Sequence, residues 1–133
     1  MHPLHPTPES FHAFASSPEQ GPVVMLNLLK FKPGGERLYN RYGKNFARLA
    51  EPKGVKILYI GNAAEMMVGA ETWDRVALVE YPSRQVFVDI IQSGDYAAIA
   101  DDRLNALERT VLYATNPLVP GAARSATDAS PGA

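Results

Sequence analysis

Residues 22–31, PVVMLNLLKF, form an apolar run that only Asn27 and Lys30 interrupt. Its β-branched start and the Gly-Pro and Pro-Gly-Gly sequences on either side are typical of a central strand that is buried on both faces. Asn27 is the exception, because an amide inside such a strand costs roughly 1–3 kcal/mol unless it is hydrogen-bonded. The pattern predicts either a structural amide or a polar cavity at Asn27 and leaves the two open.

Outward from this strand, the apolar spacing predicts a strand–helix–strand–strand–helix–strand order. The further strands are expected at residues 55–60, 73–81 and 109–115, with the second and third as antiparallel neighbours, and the helices at residues 36–50 and after Ser83. This order is the split βαβ pattern of a ferredoxin-like α+β sandwich, with a four-stranded antiparallel sheet and its helices on one face. The pattern of residues 73–81 leaves open which face of that strand points to the core.

Two glycines inside these elements carry separate predictions. Gly43 lies within the first long helix, whose apolar stripe includes Tyr42 and Phe46, and a glycine there indicates close approach to the sheet. Gly61 follows the second strand and predicts a bulge or bend.

The N-terminal arm, residues 1–20, is expected to carry a short helix over residues 8–16 that lays Phe11 and Phe14 on the domain. His2, His5 and His12 all lie in this arm. No carboxylate is placed to complete a metal site, so exposed histidines and no metal are predicted. Residues 21–117 form the predicted domain, and the Pro-, Gly- and Ala-rich residues 118–133 a tail.

Composition excludes several classes of function. The 133 residues include no cysteine, which excludes disulfides and thiolate chemistry, and the formal net charge is −1. The basic residues are dispersed, which argues against nucleic acid as a partner. No leader pattern and no apolar run of membrane-spanning length occurs, so a cytoplasmic protein is expected. The open sheet face needs a cover, and a second copy of the chain is the expected one, which predicts a homodimer.

Several blocks of the sequence are similar to those of a known protein family: GPVVMLNLLKF, YNRYG, WDRVALVEYPSRQVF, DYAAIADDR and LYATNP. Over residues 21–117 the chain resembles the family known as domain of unknown function 1330, within the dimeric α/β-barrel superfamily. The resemblance implies the same sandwich, paired so that two sheets form a barrel. Many relatives carry a histidine directly before the arginine that matches Arg103, where this chain has Asp102.

The superfamily also includes cofactor-free oxygenases and haem-degrading enzymes with a strand asparagine and a tryptophan facing the cavity, and Asn27 and Trp73 resemble these. No histidine follows His12. A general base would therefore be a tyrosine or a carboxylate with a raised pKa, for which the candidates are Asp74, Glu65, Glu80 and Asp102.

Two hypotheses from different classes follow. The first is an oxygenase- or isomerase-like enzyme, without a cofactor, that transforms a small apolar or aromatic molecule in the barrel. Its candidate catalytic residues are Asn27, Trp73 and Asp74, and its candidate ligand-binding residues are Tyr42, Tyr59, Tyr81, Arg84 and Arg103. The second is a non-catalytic binding or assembly module, in which Asn27 has a structural hydrogen-bond partner and side chains fill the barrel.

Overall fold

The computed structural model describes residues 3–118. Its strands are β1 (Val23–Phe31), β2 (Lys56–Asn62), β3 (Arg75–Tyr81) and β4 (Leu107–Thr115). Its helices are α1 (Pro8–Ala15), α2 (Gly35–Ala50), α3 (Arg84–Ile91), α4 (Gly94–Ala97) and α5 (Ala100–Ala106), and a 3-10 turn over Glu51–Lys53 follows α2. The predicted element order is confirmed, and the tail after Leu118 lies outside the described residues.

The four strands form one antiparallel sheet in the order β2-β3-β1-β4, which is ferredoxin-like. β1, the apolar segment that contains Asn27, is a central strand. It pairs with β3 from Val23↔Tyr81 to Leu29↔Arg75, and with β4 on its other side. The predicted pairing of the second and third strands is confirmed as β2 with β3.

The register decides which face of β3 points to the helices. Residues directly opposite each other in an antiparallel pair share a face. Val23 and Met25 lie in the helix-side core, so their partners Tyr81 and Val79 lie there too. The ring of Tyr81 packs edge-on against Phe87, with ring centroids 5.0 Å apart. Alternation then places the whole set on the helix side: Arg75, Ala77, Val79 and Tyr81.

The opposite face of the sheet carries no helix among the described residues, and it is largely apolar. Its apolar members on the three adjacent strands β3, β1 and β4 are Val76, Leu78, Val24, Leu26, Leu28, Val111 and Tyr113, and the polar residues Glu80, Lys30 and Thr115 share this face toward its ends. Leu26 and Leu28 are only partly buried, so the expectation that β1 is buried on both faces holds for its helix side and not for this open face in the single chain.

Close approach of a helix occurs at Gly35 and not at Gly43, which corrects the sequence prediction. A Cβ on Gly43 would meet nothing within 4 Å, whereas one on Gly35 would collide with the backbone carbonyl of Ala106. Gly35 therefore lets the start of α2 lie against the end of α5.

The irregularity of β2 also differs from the prediction. The register shifts between Ile57 and Tyr59, so the bulge lies at Leu58 and not at Gly61. Gly61 has another role, because the phenol of Tyr59 lies where its Cβ would be.

Capping explains where two of the helices begin. The side chain of Thr7 accepts a hydrogen bond from the backbone N–H of Ser10, and the Ser10 hydroxyl accepts one from the backbone N–H of Thr7, which completes a capping box for α1. The Ser83 hydroxyl accepts from the Val86 N–H at 3.2 Å and begins α3, as the sequence predicts. Across residues 3–118, no helix is both long enough and apolar enough to span a membrane.

Candidate ligand-binding cavity

A cavity of about 520 Å³ lies between the sheet and the helical layer. Its walls come from the N-terminal arm, from α1, from the ends of α3 and α5, and from β1 and β4. Aromatic and aliphatic side chains supply most of the surface: Leu4, Phe11, Ala13, Phe14, Met25, Phe87, Leu112, Tyr113 and Ala114. Its charged lining consists of two arginines, Arg84 and Arg103, together with the titratable His5. No aspartate or glutamate lines it among residues 3–118.

Arg84 is the first residue of α3, and two neighbours fix its orientation. Its guanidinium carbon lies 5.3 Å from the ring centroid of Phe14, a cation–π contact. Its Nη2 donates to Asn116 Oδ1 at 2.9 Å, and Asn116 in turn donates to Glu19 at 3.1 Å. The remaining donors, Nε and Nη1, are buried without a hydrogen-bond partner in the described part of the chain. Such donors are rare in folded proteins and call for a partner.

Arg103 is buried, with 8% of its surface exposed. Its Nη1 donates to the backbone carbonyl of Leu4 at 2.5 Å, so the arm supplies its partner. It also faces the hydroxyl of Tyr39, and its positive charge lowers the pKa of that phenol, although burial outweighs it and leaves the Tyr39 pKa raised. None of the ion pairs in residues 3–118 includes Arg84 or Arg103.

Behind the cavity the core contains a cluster of phenols. Tyr42 and Tyr96 share a hydrogen bond between their hydroxyls, 2.9 Å apart, and the rings of Tyr42 and Phe46 stack. Burial raises the pKa values of Tyr42 and Tyr81, and the neighbouring phenols raise them further. Tyr42 and Tyr81 therefore belong to the packed core, and neither is among the residues that line the cavity.

Three other sequence candidates, Asn27, Trp73 and Tyr59, lie outside the cavity lining. Asn27 faces the helix side of β1, is half-buried, and donates to the Met25 carbonyl at 3.3 Å. Trp73 lies under Arg109, whose guanidinium carbon is 4.2 Å from the ring centroid. Tyr59 is on the open face of the sheet and 55% exposed.

Asp74 forms hydrogen bonds with the end of β1. Its carboxylate accepts from the Phe31 N–H at 2.9 Å and from Lys30 at 3.5 Å. It borders a second, more open depression whose lining mixes charges of both signs: Lys32, Glu36, Arg37 and Glu108. The structure thus brings Arg84 and Arg103 together at the first cavity and places Asn27, Trp73 and Asp74 outside that cavity's lining.

The carboxylates considered as general bases are not in the cavity either. Asp102 was expected to need a raised pKa for this role, and the structure shows the reverse. Arg41 donates to it through Nε at 2.6 Å and Nη2 at 2.8 Å, which lowers the Asp102 pKa. Glu80 is buried on the opposite side of the sheet, 6% exposed, with Oε2 unpartnered among the described residues. No three His, Asp or Glu side chains in residues 3–118 form a metal-binding group.

Sequence reasoning missed the arm as part of the site. His5 was interpreted as one of three exposed histidines; it is exposed, but it also lines the cavity. The predicted contact of Phe14 with the domain is confirmed by its edge-on packing against Phe87, 5.0 Å between centroids. In the sequence, the spacing of Phe11 and Phe14 was the signal that placed the arm on the domain.

The four-stranded antiparallel sheet in the order β2-β3-β1-β4, with its helices on one face, defines this chain as an α+β protein with a ferredoxin-like fold. The chain belongs to the family described as Domain of unknown function (DUF1330), whose model matches residues 28–116. It is similar to RPA0582 from Rhodopseudomonas palustris, a protein of unknown function, with 32% identity and a TM-score of 0.83 over 90% of this chain and 100% of that one. No curated protein matches the sequence.

Two more distant structures share the fold. One is a dimeric protein of unknown function with a ferredoxin-like fold from Bacteroides fragilis, at 14% identity and a TM-score of 0.55, covering 72% of this chain and 96% of that one. The other is a candidate antibiotic biosynthesis monooxygenase from Bacteroides thetaiotaomicron, at 20% identity and a TM-score of 0.60, covering 75% and 92%. At these identities the likeness concerns the fold alone.

Proposed function

We propose that this protein binds a small, largely apolar or aromatic molecule in the cavity between its sheet and its helices. The observation that carries the proposal is the cavity itself: about 520 Å³ of space with mostly apolar walls and a few polar groups. Ligand pockets in proteins typically measure roughly 300–1,000 Å³ and have this kind of lining. Its position differs from the barrel interior that the sequence pointed to, since the cavity belongs to a single chain.

The walls explain why an apolar body would be held. Phe11, Phe14 and Phe87 present ring surface, and Met25 adds a flexible thioether. Aromatic pairs gain about 0.5–1.5 kcal/mol beyond the burial of their area, so a ring-bearing ligand fits this lining better than a sugar or another polar molecule.

The proposed assembly is a homodimer that pairs through the open sheet face. Within residues 3–118 no helix covers the apolar stripe of Leu26, Leu28, Val76 and Leu78, and a second copy would bury it. The Bacteroides fragilis protein of the same fold is described as dimeric. In this arrangement the helix-side cavities lie on the outer sides of the sheets and remain accessible.

Two alanines of α1 provide a matched test. Ala13 lines the cavity and Ala15 does not, and both are exposed, so either accepts a larger side chain without repacking the core. The Ala13→Phe variant should lose binding of a panel of one- and two-ring aromatic compounds, measured by ligand-observed NMR, while Ala15→Phe should bind like the parent. Absence of binding to the parent chain, or equal binding by both variants, would overturn the proposal.

A second candidate function is proton-transfer catalysis of the isomerase type, and the position of His5 in the lining favours it. An imidazole is the side chain most often used to take and return a proton near neutral pH. A bound ketone would give up a carbon-bound proton to His5 and regain one, so the protein ends unchanged. Deuterium uptake from D2O into 2-tetralone, followed by mass spectrometry, tests this. The parent should accelerate uptake and His5→Gln should not, and equal rates would exclude this function.

A further inference from the structure

We propose that the ligand of the helix-side cavity carries a carboxylate, and that Arg84 is the residue that binds it, with Arg103 as a second positive charge. This inference rests on the proposed function and specifies the chemical class of the ligand: an aromatic or aliphatic carboxylic acid.

Arg84 has hydrogen-bond donors that no protein group uses in the described part of the chain. A guanidinium has five N–H donors in a planar fork that matches a carboxylate. Its Nη2 is engaged by Asn116, and Phe14 holds the plane of the group. Nε and Nη1 are buried and unpartnered within residues 3–118. Because Nε and Nη1 point to opposite sides of the guanidinium, a carboxylate oxygen engages one of these donors, and the guanidinium supplies the opposite charge.

The lining of the cavity is positively charged. Arg84 and Arg103 both border the cavity, and no acidic side chain in the described part of the chain borders it with them. Glu19 is the carboxylate nearest in the network, and it reaches Arg84 only through Asn116. A partly buried positive charge without a counterion favours an anionic guest.

The hydrogen-bond partner of Arg103 is one that a ligand can displace. That partner is the Leu4 carbonyl, which belongs to the arm and not to the sheet or the helices. A ligand that displaces this neutral carbonyl with a carboxylate oxygen would replace a hydrogen bond to a neutral acceptor with an ion pair. The apolar walls then receive the rest of the molecule, which distinguishes this site from one for a small inorganic anion.

Two probes of the same ring system separate charge from shape. At neutral pH 1-naphthoate is anionic and 1-naphthol is neutral, and their affinities can be compared by calorimetry. We expect the parent to bind naphthoate about 10-fold or more tightly than naphthol, since one charge-assisted pair contributes that much. Arg84→Gln should remove this preference by weakening naphthoate about 10-fold more than naphthol, while Arg109→Gln, outside the cavity, should retain it.

A second pair of variants avoids any change to the core. Ala13→Asp places a negative charge on the cavity wall and should weaken naphthoate more than naphthol, whereas Ala15→Asp should affect neither. Equal affinity of the parent for both probes, or an equal loss of both in Arg84→Gln, would overturn the carboxylate assignment while leaving the cavity as a binding site. Tighter binding of 1-naphthyl phosphate than of naphthoate would also overturn it. Failure of every probe to bind would instead overturn the proposed function.

Discussion

Phenols and guanidinium groups meet in the helix-side core, and their chemistry there depends on burial. Tyr39 and Tyr42 have raised pKa values, chiefly because burial disfavours the charged phenolate. Arg103 opposes this shift for both residues without cancelling it. The cluster thus remains neutral and hydrogen-bonded at physiological pH, and it supports the wall from which Arg103 reaches the cavity.

These tyrosines predict a loss of stability at high pH. In the unfolded chain phenols ionise near pH 10, whereas Tyr39, Tyr42 and Tyr81 ionise later in the folded chain. The unfolded state then releases protons first, so the free energy of unfolding is fully present below about pH 10 and falls above it, by up to about 1.4 kcal/mol per pH unit for each phenol. Urea denaturation between about pH 8 and pH 11 measures this slope.

Tyr42→Phe removes one of these buried phenols and should make the fall of the unfolding free energy with pH less steep. Tyr113→Phe, at a residue that is 65% exposed, should leave it unchanged. Identical slopes in the parent and Tyr42→Phe would contradict the assignment.

A second prediction at this scale concerns the ion pair of Arg41 and Asp102, which joins α2 to α5. Because its pKa is lowered, the Asp102 carboxylate stabilises the fold above its unfolded pKa of about 4, and this contribution is lost as the pH falls through the folded pKa. Asp102→Asn should therefore weaken the dependence of the melting temperature on pH in the acid range. Asp101→Asn, on the same helix and exposed, is the control and should behave like the parent.

At the scale of elements, the packing of α2 against α5 depends on one glycine. Gly35→Ala should lower the free energy of unfolding by about 1–3 kcal/mol, because the new methyl group collides with the Ala106 carbonyl. Gly43→Ala should instead raise it by up to about 1 kcal/mol, since space is free there and alanine favours the helix. Chemical denaturation of both variants measures the difference, and a stable Gly35→Ala protein would contradict the packing.

The contrast between these glycines shows what the sequence can and cannot determine. The order of strands and helices follows from local apolar spacing and from caps such as Thr7 and Ser83, so the fold was predictable. Which glycine lies against a neighbour depends on contacts between residues far apart in the chain, such as Gly35 and Ala106. The same limit hid the cavity, because its formation requires the arm to pack over β4.

For the candidate site, residue type was a better guide than strand position. Arg84 and Arg103 were singled out as ligand-binding candidates, and the structure brings both to one cavity. Asn27 was predicted as a site residue because it is polar in an apolar strand, but the Met25 backbone carbonyl accepts its hydrogen bond. Local partners of this kind leave no trace in the pattern of polar and apolar residues.

At the scale of the whole molecule, the open sheet face predicts association. Native mass spectrometry should show the parent at twice the mass of one chain. Leu78→Glu places a charge in the centre of the apolar stripe and should yield folded monomer, because no helix in the described part of the chain covers this face. Val68→Glu, at a loop residue that is 94% exposed, should remain dimeric. A monomeric parent would contradict the proposed assembly.

The most direct test of a ligand site between the sheet and the helices uses methionine methyl groups as reporters. Met25 lines the cavity, while Met66 and Met67 are exposed in the loop between β2 and β3. In a protein labelled with 13C at the methionine methyl groups, with Met25 assigned through Met25→Leu, added 1-naphthoate should shift the Met25 resonance saturably and leave Met66 and Met67 in place. A Met25 resonance that does not move while the ligand binds would show that the molecule lies elsewhere and would contradict the cavity as the binding site.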